Sequence, residues 1–259
     1  MDRINITYNE RPELKDPIFI EGLPGVGNVG KIAADHLKDE LKAKKFATVH
    51  SRHFPPQVLV GDDGVIRLVN NEMYYHRGSN SDKGKGKNDI IFLVGDYQGL
   101  SPEGQYELAD AMLDLAVHMK VRRIFTLGGY GLGRMVEKPR VLGATTNHQL
   151  KKEMMGHGVV FAEGEPGAGI VGASGLLLGL GEMRGIEGVC LMGETSGYFV
   201  DPNSAREVLR VLVKAIGVEV DYGALEAKAE QVEKLTSRFK DLEKGIQDGR
   251  KQEDLNYIG

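Results

Sequence analysis

The alternation of apolar and polar positions predicts short strands separated by amphipathic helices. Residues 18–21 read as a buried strand that runs straight into the loop GLPGVGNVG. Residues 28–41 place Val29, Ile32, Ala33 and Leu37 on one side, the spacing of a helix, with Asn28 as its cap. Continuous apolar runs predict strands at 46–49, 89–95, 123–127 and 189–192, with 141–144 and 159–162 also extended. Helical spacing marks 105–119, 147–155, 174–180 and 201–216, and Ser204 with Glu207 reads as a capping box at the start of the last. Residues 58–60 and 65–69 flank GDDG, a hairpin signal, and 76–88 is a polar loop rich in glycine, serine and lysine.

Strands that alternate with helices, several of them apolar throughout, favour a mostly parallel sheet covered on both faces. The predicted fold is therefore α/β, a three-layer αβα sandwich, with an antiparallel excursion at the hairpin. The core domain is expected over 1–217.

The pattern changes after Gly217. Leu225, Val232, Phe239 and Ile246 recur every seventh residue, Leu235 and Leu242 fill the alternate seam, and Lys228 interrupts it. This predicts an amphipathic C-terminal helix over 218–249, docked either on its own domain or between subunits. The remaining 250–259 read as a flexible tail with a small apolar tip, Leu255, Tyr257 and Ile258. That tip is either a frayed end or a segment that docks in a partner pocket.

Composition narrows the function. A net charge of −4 and the absence of tryptophan argue against a nucleic-acid surface. The single cysteine, Cys190, leaves no internal disulfide and fits a reducing compartment. The N-terminus lacks a basic-then-apolar leader pattern, and no stretch reaches the roughly 18 apolar residues of a membrane span. The expected location is cytoplasmic, with no membrane partner.

Gly25, Gly27 and Gly30 spell GxGxxG after a strand and before a helix. A dinucleotide loop needs an acid at the end of the second strand to hold a ribose hydroxyl. That strand ends in Val49-His50-Ser51-Arg52, without one. Gly25 to Lys31 also fits the phosphate-loop frame GxxxxGK. The magnesium-holding hydroxyl should follow, and Ile32 stands there. A structural turn or interface loop, an anion site at Gly25, Gly27, Gly30 and Lys31, and a nucleotide site remain as readings.

Asp96 and Glu194 follow apolar strands, where open parallel sheets place ligands, and could line a polar cleft with Tyr97, Gln98 and Thr195. The plainer reading has each carboxylate bonded to loop amides. Ser174 lies in GASGL, which is not a nucleophile elbow, and Cys190 sits inside an apolar strand as a packing residue. His50, His53 and His76 do not have metal-site spacing. No catalytic residue, cofactor site or metal site is predicted.

Several segments together resemble the proteasome assembly chaperone family in its archaeal branch. They are GLPGVGNVGKIAADHL at 22–37, FPPQVLVGDDGVIRLVNNEMYY at 54–75, GDYQGLSPEGQYELAD at 95–110, TLGGYGLG at 126–133, GASGLLLGLGEMRGIEGVCLMGETSGYFVD at 172–201 and PNSAREVL at 202–209. The resemblance implies an αβα core, self-association, no enzymatic activity and proteasome core-particle subunits as partners, the α subunits among them. A paralogue is a further partner to consider. Some members dock a C-terminal tail with a penultimate tyrosine between α subunits. Here Asn256 precedes Tyr257 and the chain runs on through Ile258 to Gly259, a departure from that pattern.

Overall fold

The computed structural model describes residues 3–79, 87–164, 167 and 169–232. Ten strands and five principal helices follow in chain order. β1 (Ile4–Tyr8) and β2 (Ile18–Gly22) precede α1 (Val29–Glu40), β3 (Lys44–Ser51) and the hairpin β4 (Val58–Val60) and β5 (Ile66–Leu68). β6 (Asn71–His76) and β7 (Ile90–Gly95) lead to α2 (Pro102–His118), β8 (Arg123–Gly131), β9 (Val141–Thr145) and α3 (His148–Gly156). α4 (Ala173–Glu182), β10 (Glu187–Thr195) and α5 (Pro202–Ile216) complete the core.

Eight strands form one mixed sheet in the order β1-β3-β6-β7-β2-β8-β10-β9. The predicted parallel arrangement holds for the four central strands, β7, β2, β8 and β10. These carry the apolar runs, because each is covered from both sides. The outer strands join antiparallel. β1 and β6 were not anticipated, and β6 sits inside the sheet between β3 and β7.

Alternate side chains of the sheet feed two apolar clusters. Ile18, Ile20 and Phe125 pack with Leu37 of α1, Leu150 of α3 and Leu209 of α5. Phe19, Leu93 and Ile124 pack with Leu113 of α2 and Leu177 of α4 on the other face. Helices therefore cover both faces of the sheet.

Local chemistry sets the helix ends. Ser101 caps α2 by accepting from the Gly104 amide at 3.0 Å, with Pro102 in the first turn. α5 is capped by Asp201, whose Oδ1 accepts from the Ser204 amide at 2.9 Å, and not by Ser204. Ser204 itself is fully buried inside the first turn, against Gly193. Asn28 does occupy the cap position of α1, in a left-handed conformation, without a side-chain bond to the helix.

Residues 223–232 are helical. Leu225, the first residue of the predicted seam, is buried in the cluster with α1 and α5. His36 Nε2 donates to the Asp221 carbonyl at 2.6 Å, tying this connection to α1. Val232 is half-buried. Leu235, Phe239, Leu242, Leu255, Tyr257 and Ile258 lie outside the described residues.

Candidate functional site: a cleft at the switch point of the sheet

Adjacent parallel strands β2 and β7 send their chains to opposite faces, into α1 and α2 respectively. The loops after two such strands diverge and leave a crevice between them, the usual ligand position in an open α/β sheet. A cleft of about 620 Å³ occupies that place. Its walls are Leu23 to Val26 after β2, Tyr97 to Leu100 after β7, the end of β8 from Leu127 to Gly131, and Gly169 to Gly172 before α4.

β2 pairs with β8 only as far as Glu21↔Thr126, whereas β8 continues beside β10 to Gly131↔Thr195. The glycine-rich end of β8 thus reaches beyond β2 into the cleft. The glycine loop is shaped by packing. A Cβ at Gly30 would collide with the Leu127 carbonyl, so glycine lets α1 lie directly on β8. Gly27 holds φ 62°, a left-handed value that glycine adopts without strain. Gly25 lines the cleft, and Lys31 Nζ is ion-paired with Asp35 at 3.0 Å on the next helical turn.

A buried polar row crosses three strands, and of its members only Cys190 lines the cleft. Glu21, Thr126 and Cys190 are register partners on β2, β8 and β10, and all three are fully buried. Glu21 Oε1 accepts from the Leu23 amide at 2.9 Å, and Oε2 accepts from the Ser174 hydroxyl at 2.9 Å. Burial pushes the Glu21 carboxyl up to about 7, despite the two hydrogen bonds that favour its ionised form. Burial likewise pushes the Cys190 thiol up to about 12, with the Thr126 hydroxyl offsetting part of the rise and Glu21 adding to it. Cys190 is therefore a neutral thiol at physiological pH. Sequence reasoning passed over Glu21, which closes the apolar run IFIE. A carboxylate inside a strand otherwise buried on both faces was the available signal.

The anticipated strand-end carboxylates are tied elsewhere. Asp96 accepts from Arg67 Nη2 at 2.9 Å and from the Asn70 amide at 3.0 Å, anchoring the hairpin. Burial favours its protonated form, but these bonds prevail and hold the carboxyl below the usual range. Glu194 accepts from Arg140 Nε at 2.8 Å and from the Arg140 amide at 3.0 Å, and the Arg140 guanidinium lowers its carboxyl despite burial. Tyr97 and Gln98 do line the cleft; Asp96, Glu194 and Thr195 do not. Gln98 bridges its walls, donating to the Pro24 carbonyl at 2.8 Å and accepting from the Ala173 amide at 3.0 Å.

The histidines are dispersed. His53 shares a hydrogen bond of 2.9 Å with Glu107, and His76 one of 3.1 Å with the Leu41 carbonyl. Among the described residues no three potential ligands gather into a metal site, and no helix is long and apolar enough to cross a membrane.

A second surface is the hairpin. Val58, Val60, Val65, Ile66 and Leu68 are all exposed, at 44–67% of their full area. β4 and β5 pair with each other as a two-stranded sheet outside the main one. Val58 stands opposite Leu68 and Val60 opposite Ile66, so these side chains share one apolar ribbon on the hairpin.

Residues 19–240 match the model of the PAC2 family. An uncharacterised protein of Methanocaldococcus jannaschii is 39% identical over 251 residues, which cover 95% of this chain and 93% of that protein. PbaB of Pyrococcus furiosus, an archaeal proteasome activator, superposes with a TM-score of 0.86 at 42% identity, covering 93% of this chain and 100% of PbaB. PbaA of the same organism, an archaeal homologue of proteasome-assembly chaperone, gives 0.74 at 29% identity, covering 99% and 100%.

Proposed function

The chain belongs to the PAC2 family, and from that premise we propose that it is a non-catalytic proteasome factor that binds core-particle subunits through protein surfaces. The observation that carries this reading is the likeness to PbaB, 42% identical over the whole of that chain. Activation of the core particle is accordingly the first form of the proposal. Assistance in core-particle assembly, the role implied by the sequence resemblance, is the second form and is supported by the likeness to PbaA.

The α subunits are the proposed contact, and the chain is proposed to act as a cytoplasmic homo-oligomer, alone or with a paralogue. The exposed apolar hairpin supports self-association or subunit binding, since an uncovered ribbon of five large apolar side chains is costly in water. The tail from 250 to 259 is proposed as a second contact, although its sequence departs from the tyrosine-penultimate pattern.

Native mass spectrometry of the chain with archaeal α subunits, with and without β subunits, tests both forms. An activator forms a defined complex with the assembled core particle and raises its peptidase rate. An assembly factor instead associates with α-containing intermediates and leaves the finished particle. Free homo-oligomer alone, with subunits competent to assemble, overturns the proposal. Loss of the complex on removing 250–259 identifies the tail as a contact, and unchanged binding excludes it.

A further inference from the structure

The cleft between β2 and β7 has a wall chemistry of its own. None of the described residues lining it carries a charge. Two of its four walls, the end of β8 and the stretch before α4, are rich in glycine, Tyr97, Tyr130 and Ile170 add apolar surface, and Cys190 and Met192 also line it. Gly128 keeps the space beside Met192 open. The nearest atom to a Cβ there would be Met192 Cγ at 3.9 Å, so the missing side chain leaves space rather than relieving a collision.

Polar groups at the walls are partly committed. The Ser174 hydroxyl gives its proton to Glu21, which leaves its oxygen lone pairs as acceptors. Gln105 donates to the Gly99 carbonyl at 3.0 Å, and its Oε1 lies beside Gly172 in the cleft wall. The Ala173 amide at the start of α4, the helix end that favours an anion, is already taken by Gln98. Lys31 is paired with Asp35 and does not line the cleft. Among the described lining residues an anion finds no cationic side chain and a cation finds no carboxylate; Glu21, bonded to Ser174, is fully buried. Glycine-rich and apolar walls that also offer the Ser174 and Gln105 oxygens as acceptors suit a planar body that presents N–H groups.

We propose that the cleft binds a small, uncharged, planar molecule bearing N–H donors, an amide or nitrogen heterocycle, with Ser174 Oγ and Gln105 Oε1 as acceptors and Glu21 as the group that orients Ser174. Glu21 and Ser174 are 153 positions apart in sequence, so the fold itself builds the pair. Glu21 is a positioning residue behind the hydroxyl that meets the ligand. The assignment concerns a surface separate from the exposed hairpin and stands independently of proteasome binding.

Saturation-transfer NMR on the full chain tests it, with nicotinamide and uracil as neutral probes and nicotinate and inorganic phosphate as charged ones. The neutral probes bind the wild type, and the charged probes bind more weakly. Gly128→Val, which fills the space beside Met192, and Ser174→Ala, which removes an acceptor, each weaken the neutral probes by about tenfold or more. Circular dichroism verifies that both variants are folded, and Ser174→Ala alone decides the matter if the valine disrupts the sheet. Absence of transfer from both neutral probes, unchanged binding in folded variants, or a preference for phosphate overturns the assignment.

Discussion

Glu21→Gln isolates the energetic consequence of burying a carboxyl under the cleft. In the unfolded chain this group loses its proton near its ordinary value of 4.5; in the folded protein it keeps the proton up to about 7. The folded state therefore binds more protons across that interval, and stability falls as pH rises through it. The contribution of the neutral carboxyl is fully present below about 4.5 and is lost as pH rises through about 7. One pKa unit is worth about 1.4 kcal/mol, so the whole interval amounts to about 3 kcal/mol. Glutamine cannot titrate. Its carbonyl still accepts from the Leu23 amide, and the Ser174 hydroxyl can rotate to accept from the new amide.

The stability difference between the variant and the wild type should therefore move in the variant's favour by about 2–3 kcal/mol between about pH 5 and about pH 8. For a chain of this size that corresponds to a shift of about 5–10 °C in the difference between midpoints. Differential scanning calorimetry of both proteins across that range measures it directly. Surface carboxylates titrate in both proteins and cancel in the comparison. A difference that stays flat with pH, or that moves against glutamine as pH rises, would refute the claim that burial raises the Glu21 carboxyl.

Three further outcomes follow from particular contacts. Gly30→Ala places a methyl group on the Leu127 carbonyl and should cost about 1–3 kcal/mol by urea denaturation, with α1 displaced from β8. Asp201→Ala removes the cap of α5 and should cost about 1 kcal/mol in the same assay, whereas Asp201→Asn should restore most of it. Val60→Ser with Ile66→Ser alters side chains that are 67% and 63% exposed, so stability should change by no more than about 0.5 kcal/mol per site. The same double variant should lose self-association or α-subunit binding by native mass spectrometry; full retention of both excludes the hairpin as an interface.

The parts of this fold that could be read from sequence are those in which local pattern and final environment agree. β2, β7, β8 and β10 are covered on both faces, so their apolar runs are continuous. The hairpin announces itself through GDDG, and β4 and β5 pair as that signal requires. β6 was hidden because NEMYYH mixes polar and aromatic residues: Glu72 pairs with Lys45, a contact that exists only after β3 and β6 are aligned. β1 was hidden because it lies at the sheet edge with an alternating half-exposed pattern and a polar composition. The cap of α5 was misassigned because Asp201 and Ser204 are both good cap residues, and burial of Ser204 against Gly193 decided between them. The site followed the same rule. The positions of Asp96 and Glu194 were legible, but their arginine partners were not. Glu21 became recognisable only once Thr126, Cys190 and Ser174 had been brought around it.

The cleft and the proposed proteasome role need not compete. Topology alone produces a crevice wherever adjacent parallel strands send their helices to opposite faces, so its existence carries no commitment to turnover. What such a crevice does depends on the groups at its mouth. Here the two strand-end carboxylates are neutralised by Arg67 and Arg140, and the thiol that lines the cleft is held in its protonated form. The amide at the start of α4 is occupied by a glutamine side chain. Charges that could have faced a substrate are spent holding the hairpin and the loops in place. Asp96 is the clearest case, because its bonds to Arg67 and Asn70 fix the base of the exposed apolar ribbon. At this end of the sheet the strand-end carboxylates therefore brace the loops and the base of the exposed hairpin.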